Sequence, residues 1–211
     1  MGQDKVLAII DYQMGNVRSA AKAFELLGVE TVVSNKFSDI QKASHLVLPG
    51  VGAFGDGMKH LNELGLIDIL KDEVLEKKKP ILGICLGMQL LGSDSEEFGR
   101  HQGLGFLKAP VKEFNLEGKD LKVPHVGWNN IRLIKDHPLF SGIKQDSVFY
   151  FVHSFHLVPE DGQITAATCN YGYDFPAIVA KENIFAVQFH PEKSQTVGLK
   201  MLENFINWDG K

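Results

Sequence analysis

Within the first fifty residues three apolar runs, Val6-Leu-Ala-Ile-Ile10, Thr31-Val-Val33 and His45-Leu-Val-Leu48, alternate with two segments that carry helical signals. This alternation is what most narrows the fold. The first run is continuously apolar and closed by Asp11, which suits a central strand covered on both faces. Asn16 can cap a helix whose apolar positions Val17, Ala20, Ala21, Phe24 and Leu27 recur at helical spacing, with Gly28 just past its end. Ser38-Asp39 opens a shorter helix before the third run. Strand, helix, strand, helix, strand implies parallel strands joined by right-handed crossovers, with ligands bound beyond the carboxyl ends of the strands. The expected class is α/β, a three-layer mixed sheet flanked by helices, in a single domain over residues 1–211.

Further along, Pro80-Ile-Leu-Gly-Ile-Cys-Leu-Gly-Met-Gln-Leu-Leu91 passes from a buried strand, Ile81, Leu82 and Ile84, to a helix carrying Leu86, Leu90 and Leu91 on one face. Cys85 stands at the corner, between Gly83 and Gly87. The pattern G-x-C-x-G is the thiol counterpart of the G-x-S-x-G elbow, in which small neighbours permit a sharp turn that lifts the nucleophile above the sheet. The helix beyond offers unpaired N–H groups and a positive dipole end, favouring a thiolate and a developing oxyanion. A cysteine in an apolar run is also an ordinary core residue, so its partners must decide.

Two other segments supply candidates. Pro49-Gly-Val-Gly-Ala-Phe-Gly55 lacks the ending of a phosphate-binding P-loop and does not fit G-x-G-x-x-G with a helix directly behind it. It is either an ordinary turn or a loop whose N–H groups complete an oxyanion hole. In Phe189-His-Pro-Glu-Lys-Ser194, extended geometry at a strand end would point His190 and Glu192 to one side, a base arriving with its orienting carboxylate. Cysteine, histidine and carboxylate together form an activated-nucleophile constellation. Glu97, in a polar segment after the elbow, is either a solvated loop carboxylate or a group that holds an ammonium or amide.

The remaining chain reads as helices over residues 58–64 and 66–78, then strands at 111–114, 130–134, 147–152 and 164–168, a hairpin from 176 to 189, and a last helix from about 195 to 208. With no crossover helices between them, the later strands are expected to extend the first sheet in antiparallel or mixed fashion. The run Lys77-Lys78-Lys79 suits a helix end. A net charge of −4 without a long basic stripe argues against nucleic-acid binding. No apolar run approaches a membrane span and no signal-peptide layout opens the chain, so a cytoplasmic location is expected. Two cysteines, Cys85 and Cys169, make a structural disulfide unexpected.

Taken together, Pro49-Gly-Val-Gly52, Gly83-Ile-Cys-Leu-Gly-Met-Gln89 and His190-Pro-Glu192 resemble the class I (triad) glutamine amidotransferases, whose sheet architecture is flavodoxin-like. Ile10-Asp-Tyr-Gln-Met-Gly-Asn16, Val123-Pro-His-Val-Gly-Trp-Asn129, Tyr150-Phe-Val-His-Ser154 and Gln188-Phe-His-Pro-Glu-Lys-Ser194 are similar, more narrowly, to the family of glutaminase subunits of imidazole glycerol phosphate synthase. The resemblance covers essentially the whole chain. It implies hydrolysis of L-glutamine to glutamate and ammonia with no metal or organic cofactor. Cys85 would be the nucleophile, His190 the acid and base, and Glu192 its orienter. Gly50, Val51, Gly52 and Leu86 would form the oxyanion hole, while Gln89, Glu97, Ser154 and Phe155 would bind the substrate. Trp128, Tyr150 and His153 would face a (β/α)8-barrel cyclase/synthase subunit that receives the ammonia in a heterodimer of histidine biosynthesis, although a tryptophan such as Trp128 is by itself more often local core. The glycines at 50, 52 and 55 suggest an oxyanion loop poorly formed until the partner is loaded. Gln13 and Ala109-Pro110 stand where that family commonly has glycine. A paralogous amidotransferase of surface-polysaccharide sugar synthesis, a noncatalytic subunit of the same fold, and a cysteine peptidase or thioesterase remain as rivals.

Overall fold

A computed structural model describes residues 5–211 of the chain. Its first half follows the alternation of the sequence. Strands β1 (Val6–Ile10), β2 (Glu30–Ser34), β3 (His45–Gly50) and β4 (Ile81–Cys85) run parallel. Helix α1 (Val17–Leu26) links β1 to β2, α2 (Phe37–Lys42) links β2 to β3, and α3 (Phe54–Glu63) with α4 (Leu66–Lys71) links β3 to β4. The Asn16 side chain caps α1 by accepting the Ser19 N–H at 3.2 Å. After β4 come α5 (Leu86–Leu90), the short strands β5 (Asp94–Ser95), β6 (His101–Gln102) and β7 (Val111–Glu113), then β8 (His125–Leu133), β9 (Val148–His153), β10 (Phe155–Leu157), β11 (Thr165–Asn170), β12 (Asp174–Lys181), β13 (Ile184–Val187) and the closing helix α6 (Gln195–Asn207).

Nine strands form one mixed sheet in the order β2-β1-β3-β4-β13-β12-β11-β8-β9. β13 returns to lie parallel beside β4, and every pair outward from it is antiparallel. Successive strand side chains point to opposite faces, so β1 feeds two cores. Leu7 and Ile9 meet Phe24 of α1 and Met201, Leu202 and Phe205 of α6, while Ala8 and Ile10 meet Leu61, Leu66 and Leu70 of α3 and α4. The registers Gly50 with Cys85 and Val187 with Ile84 bring the carboxyl ends of β3, β4 and β13 to one edge.

Several elements depart from the sequence reading. Helix α3 starts at Phe54, directly behind the glycine loop, rather than at residue 58. Its first N–H is capped from outside by the Glu97 carboxylate at 2.7 Å, and Gly55 and Gly57 lie inside it, close against His101 and Leu90. Strand β7 does not join the main sheet but pairs with β5 and β10 in a separate sheet ordered β10-β7-β5-β6. The lysine run does end the helical stretch, Lys77 following its last turn at Asp72–Glu76, and it is held there by ion pairs as well: Lys77 and Lys79 grip the buried Glu73, and Lys78 meets Glu182. Gln13 holds φ at +66°, a region that glycine enters freely and other residues seldom do.

Candidate active site

Cys85 ends β4 with φ 55° and ψ −111°, far from the regions open to non-glycine residues. Such strain costs about 1–3 kcal/mol and persists only where the surroundings over-determine it. Here they do. A Cβ at Gly87 would fall 1.7 Å from the Leu48 carbonyl oxygen, and one at Gly83 would fall 2.8 Å from Leu91 and 3.0 Å from the Met88 Cα. The two glycines thus let α5 close down on β3 and β4, and the closure fixes the turn at Cys85. With only five residues α5 has a small dipole, so the unpaired N–H groups of its first turn are its main electrostatic asset.

His190 and Glu192 arrive differently from the extended pairing expected of them. β13 stops at Val187, and residues Pro191–Lys193 form one 3₁₀ turn. That turn folds Glu192 back so that its Oε1 lies 2.8 Å from His190 Nδ1, both side chains being buried. The turn is pinned at its base. His190 N–H donates to the Tyr150 carbonyl at 2.9 Å, and the Ser194 hydroxyl donates to the His190 carbonyl while accepting the Tyr150 N–H. Burial lowers the pKa of His190, but hydrogen bonding toward Cys85 and Glu192, reinforced by their charge, outweighs it and raises the value to about 9. The Nε2 atom, the one not held by Glu192, is buried and makes no contact of hydrogen-bond geometry among the described residues. The ring is thus set between the Glu192 carboxylate and the Cys85 side of the pocket.

The pocket has a volume of about 350 Å³, within the range of small-molecule sites. Cys85, Leu86, Val51 and Gly52 line one side, and Gln89, Glu97, Ser154, Phe155 and His190 also line it. Gly50 sits one residue behind, paired with Cys85 across β3 and β4, and Glu192 stands behind His190. Glu97 is no free loop carboxylate, because the Phe54 N–H holds it in place. Gln89 Nε2 donates to the Phe155 carbonyl at 2.8 Å and to Gln188 Oε1 at 3.2 Å, so Oε1 is what Gln89 can offer a ligand.

His153 is placed otherwise than the docking surface expected of it. It is buried and lines the pocket. Burial pushes its pKa down to about 3 and that of His125 down to about 4, so both rings are neutral at pH 7. Their tautomers then follow from their neighbours. His153 Nδ1 must donate to the Phe155 carbonyl at 2.8 Å, so its Nε2 accepts from His125 Nδ1 at 3.2 Å, and His125 Nε2 accepts from Asn129 at 3.3 Å. The sequence gives no sign of this chain, since His125 and His153 meet only through the pairing of β8 with β9. Trp128 and Tyr150 are opposed on the same two strands with rings 5.8 Å apart. Trp128 is 50% exposed and Val126 is 56% exposed beside it. Trp128 therefore lies on an exposed apolar strand face, not in the core.

Among the described residues no cluster of three histidine, cysteine, aspartate or glutamate side chains is placed to hold a metal ion, and no helix is long and apolar enough to cross a membrane. The pattern of the family described as glutamine amidotransferase class-I matches residues 8–208. A protein of Campylobacter jejuni (strain RM1221) named imidazole glycerol phosphate synthase subunit HisH 1 is 51% identical over 201 residues, covering 95% of this chain and 99% of that protein. The HisH subunit of Sulfurimonas denitrificans is 48% identical, with 96% and 98% covered, and that of Aquifex aeolicus is 49% identical, with 93% and 94% covered. Among solved structures, a putative GMP synthase subunit from Thermoplasma acidophilum superposes with a TM-score of 0.73 at 21% identity, covering 98% of this chain and 94% of that one. PurLQS from Thermotoga maritima gives 0.73 at 22% identity, covering 97% and 99%. These two likenesses concern the fold; the relatives near half identity and the family pattern over residues 8–208 establish that the chain belongs to the class-I glutamine amidotransferases, in the family of HisH subunits of imidazole glycerol phosphate synthase.

Proposed function

We propose that this chain is a cytoplasmic, single-domain glutaminase subunit that hydrolyses L-glutamine to glutamate and ammonia and passes the ammonia to a (β/α)8-barrel synthase subunit. The observation that carries this reading is the convergence of a strained Cys85, a His190 with an unpartnered Nε2, and a buried Glu192 on one pocket. Cys85 attacks the side-chain amide carbon. The oxyanion that forms is held by the Leu86 N–H and the Gly50-Val51-Gly52 loop, His190 Nε2 gives its proton to the departing ammonia, and a glutamyl thioester remains on Cys85. His190 then takes a proton from the hydrolytic water, while Glu192 keeps the ring oriented. Gln89 Oε1 and the Glu97 carboxylate receive the donors of the bound glutamine, with Ser154 and Phe155 as the adjoining wall.

Ammonia released into water becomes ammonium, so a covered path to the acceptor is required. The exposed apolar face of Val126, Trp128 and Tyr150 adjoins the pocket through Val152, which lines it. That face suits a partner docked over the site. In the partner the ammonia would yield imidazole glycerol phosphate and an aminoimidazole carboxamide ribotide. The names of relatives near half identity support this acceptor. The test uses the assembled complex with Cys85→Ala, fed either glutamine or ammonium salts. Loss of the glutamine reaction with survival of the ammonium reaction is expected; a glutamine reaction that survives refutes the proposal. Activity only with the barrel enzyme of a polysaccharide pathway would refute the acceptor.

A further inference from the structure

A backbone carbonyl settles the orientation of two buried carboxamides beside the nucleophile. The Phe155 carbonyl can only accept, so the end of Gln89 lying 2.8 Å from it is Nε2. The second N–H of that nitrogen points to Gln188, 3.2 Å away, so the end of Gln188 receiving it is Oε1. Gln188 then turns its own Nε2 toward Cys85, 3.9 Å from Sγ. Gln188 is wholly buried and Gln89 nearly so. Reversing either side chain would set N–H against N–H, or oxygen against oxygen, where burial keeps solvent from relieving the mismatch.

Besides His190, which couples to Cys85, the sulfur has two neighbours of opposite character. The Val152 carbonyl, 3.9 Å away, can receive the S–H of a thiol, whereas the Gln188 N–H can serve only a sulfur that accepts. We propose that Gln188 is a catalytic residue that stabilises the Cys85 thiolate through Nε2–H, its orientation dictated through Gln89 by the Phe155 carbonyl. This rests on the reading of Cys85 as the nucleophile. A hydrogen bond to an ionised acceptor is about twice as strong as one between neutral groups, and the burial of Gln188 shields this one from solvent.

The test is the pH dependence of Cys85 alkylation by iodoacetamide in the full chain, read by peptide mass so that Cys169 is counted separately. The other titratable groups around the sulfur are unchanged in the variants: Tyr12 from the end of β1, His190 with Glu192 behind it, His153 on β9, and Glu97 across the pocket. Gln188→Met, of similar length but without the donor, is expected to move the rise of the profile to higher pH, so that the rate well below the midpoint falls about tenfold, equivalent to one pKa unit, and to regain the parent rate on the alkaline plateau. Gln188→Glu, which sets an oxygen against the sulfur, is expected to slow it further. Folded variants whose profiles superpose on that of the parent would overturn the proposal. Should neither variant fold, the parent decides: the Gln188 side-chain amide resonance must move with the titration of Cys85, and one that stays fixed overturns the proposal equally. Alkylation needs no glutamine turnover, so this result is separate from the outcome for Cys85→Ala.

Discussion

Glu192→Gln removes one negative charge 2.8 Å from His190 Nδ1 while leaving the volume of the side chain nearly unchanged. Both groups are buried, with 2% and 4% side-chain exposure, so solvent screens little of their interaction. A hydrogen bond between charged partners contributes about 1.5–3 kcal/mol, which at 1.36 kcal/mol per unit is about 1–2 pKa units. The midpoint of His190 should fall from about 9 by that amount. The sign follows from the raised value. The proton is bound more tightly in the folded chain than in the unfolded one, so the stabilisation is complete below the ordinary histidine pKa of about 6.5 and is lost as pH rises through about 9. In the variant that loss comes earlier. The assay is an NMR titration of the His190 ring from pH 5 to 10, alongside thermal unfolding over the same range. Glutamine turnover in the complex should lose its alkaline limb at correspondingly lower pH. A His190 midpoint unmoved by the substitution would refute the reasoning, because it would mean that Glu192 does not hold the imidazolium.

Gly87→Ala would set a methyl 1.7 Å from a backbone carbonyl that cannot swing aside; overpacking of this kind costs about 1–3 kcal/mol, so calorimetry should show a lower Tm and alkylation should show an altered Cys85. Glu73 is buried between Lys77 and Lys79. Burial raises its pKa, but the two lysines outweigh that and leave it below the ordinary value. Its stabilisation is therefore present above the unfolded carboxylate pKa and is lost as pH falls through the lower folded value. Glu73→Ala should cost about 3 kcal/mol at pH 7 in denaturant unfolding, with a deficit that shrinks in acid; an equal deficit at pH 3 would contradict the ion-pair account. Trp128→Ala should weaken docking of the proposed barrel subunit by about 2 kcal/mol, or roughly thirtyfold, measured by titration calorimetry, and should leave alkylation of Cys85 in the free chain unchanged.

Much of the active-site chain was legible because its signals are local. The parallel half announces itself in apolar runs, since a strand covered on both faces has no polar side to alternate. The elbow is written in glycines because α5 lies against β3 and β4 too closely for any Cβ. What lay beyond the sequence depends on residues that meet only in space. α3 begins four residues early because its cap is Glu97, supplied from another loop. The two-residue strands β5 and β6 are too short to show any period, which hid the second sheet. His190 and Glu192 could be named as a pair from their spacing, but a 3₁₀ turn rather than an extended strand brings their side chains together.

The residues around the nucleophile divide in the same way. Cys85, His190 and Glu192 are identifiable by type and by neighbours in sequence. Gln188 and the His125–His153 pair are not, because a buried amide or imidazole acquires a role only from what lies opposite it. Sequence alone determined the order of the strands' signals and the tight turn at Cys85, consequences of local sterics and covalent spacing, and it singled out Cys85, His190 and Glu192 as candidates. Tertiary structure decided which groups are uncharged, which end of the Gln188 carboxamide faces the sulfur, and which apolar side chains stay in water, because burial and hydrogen bonding depend on contacts between distant segments.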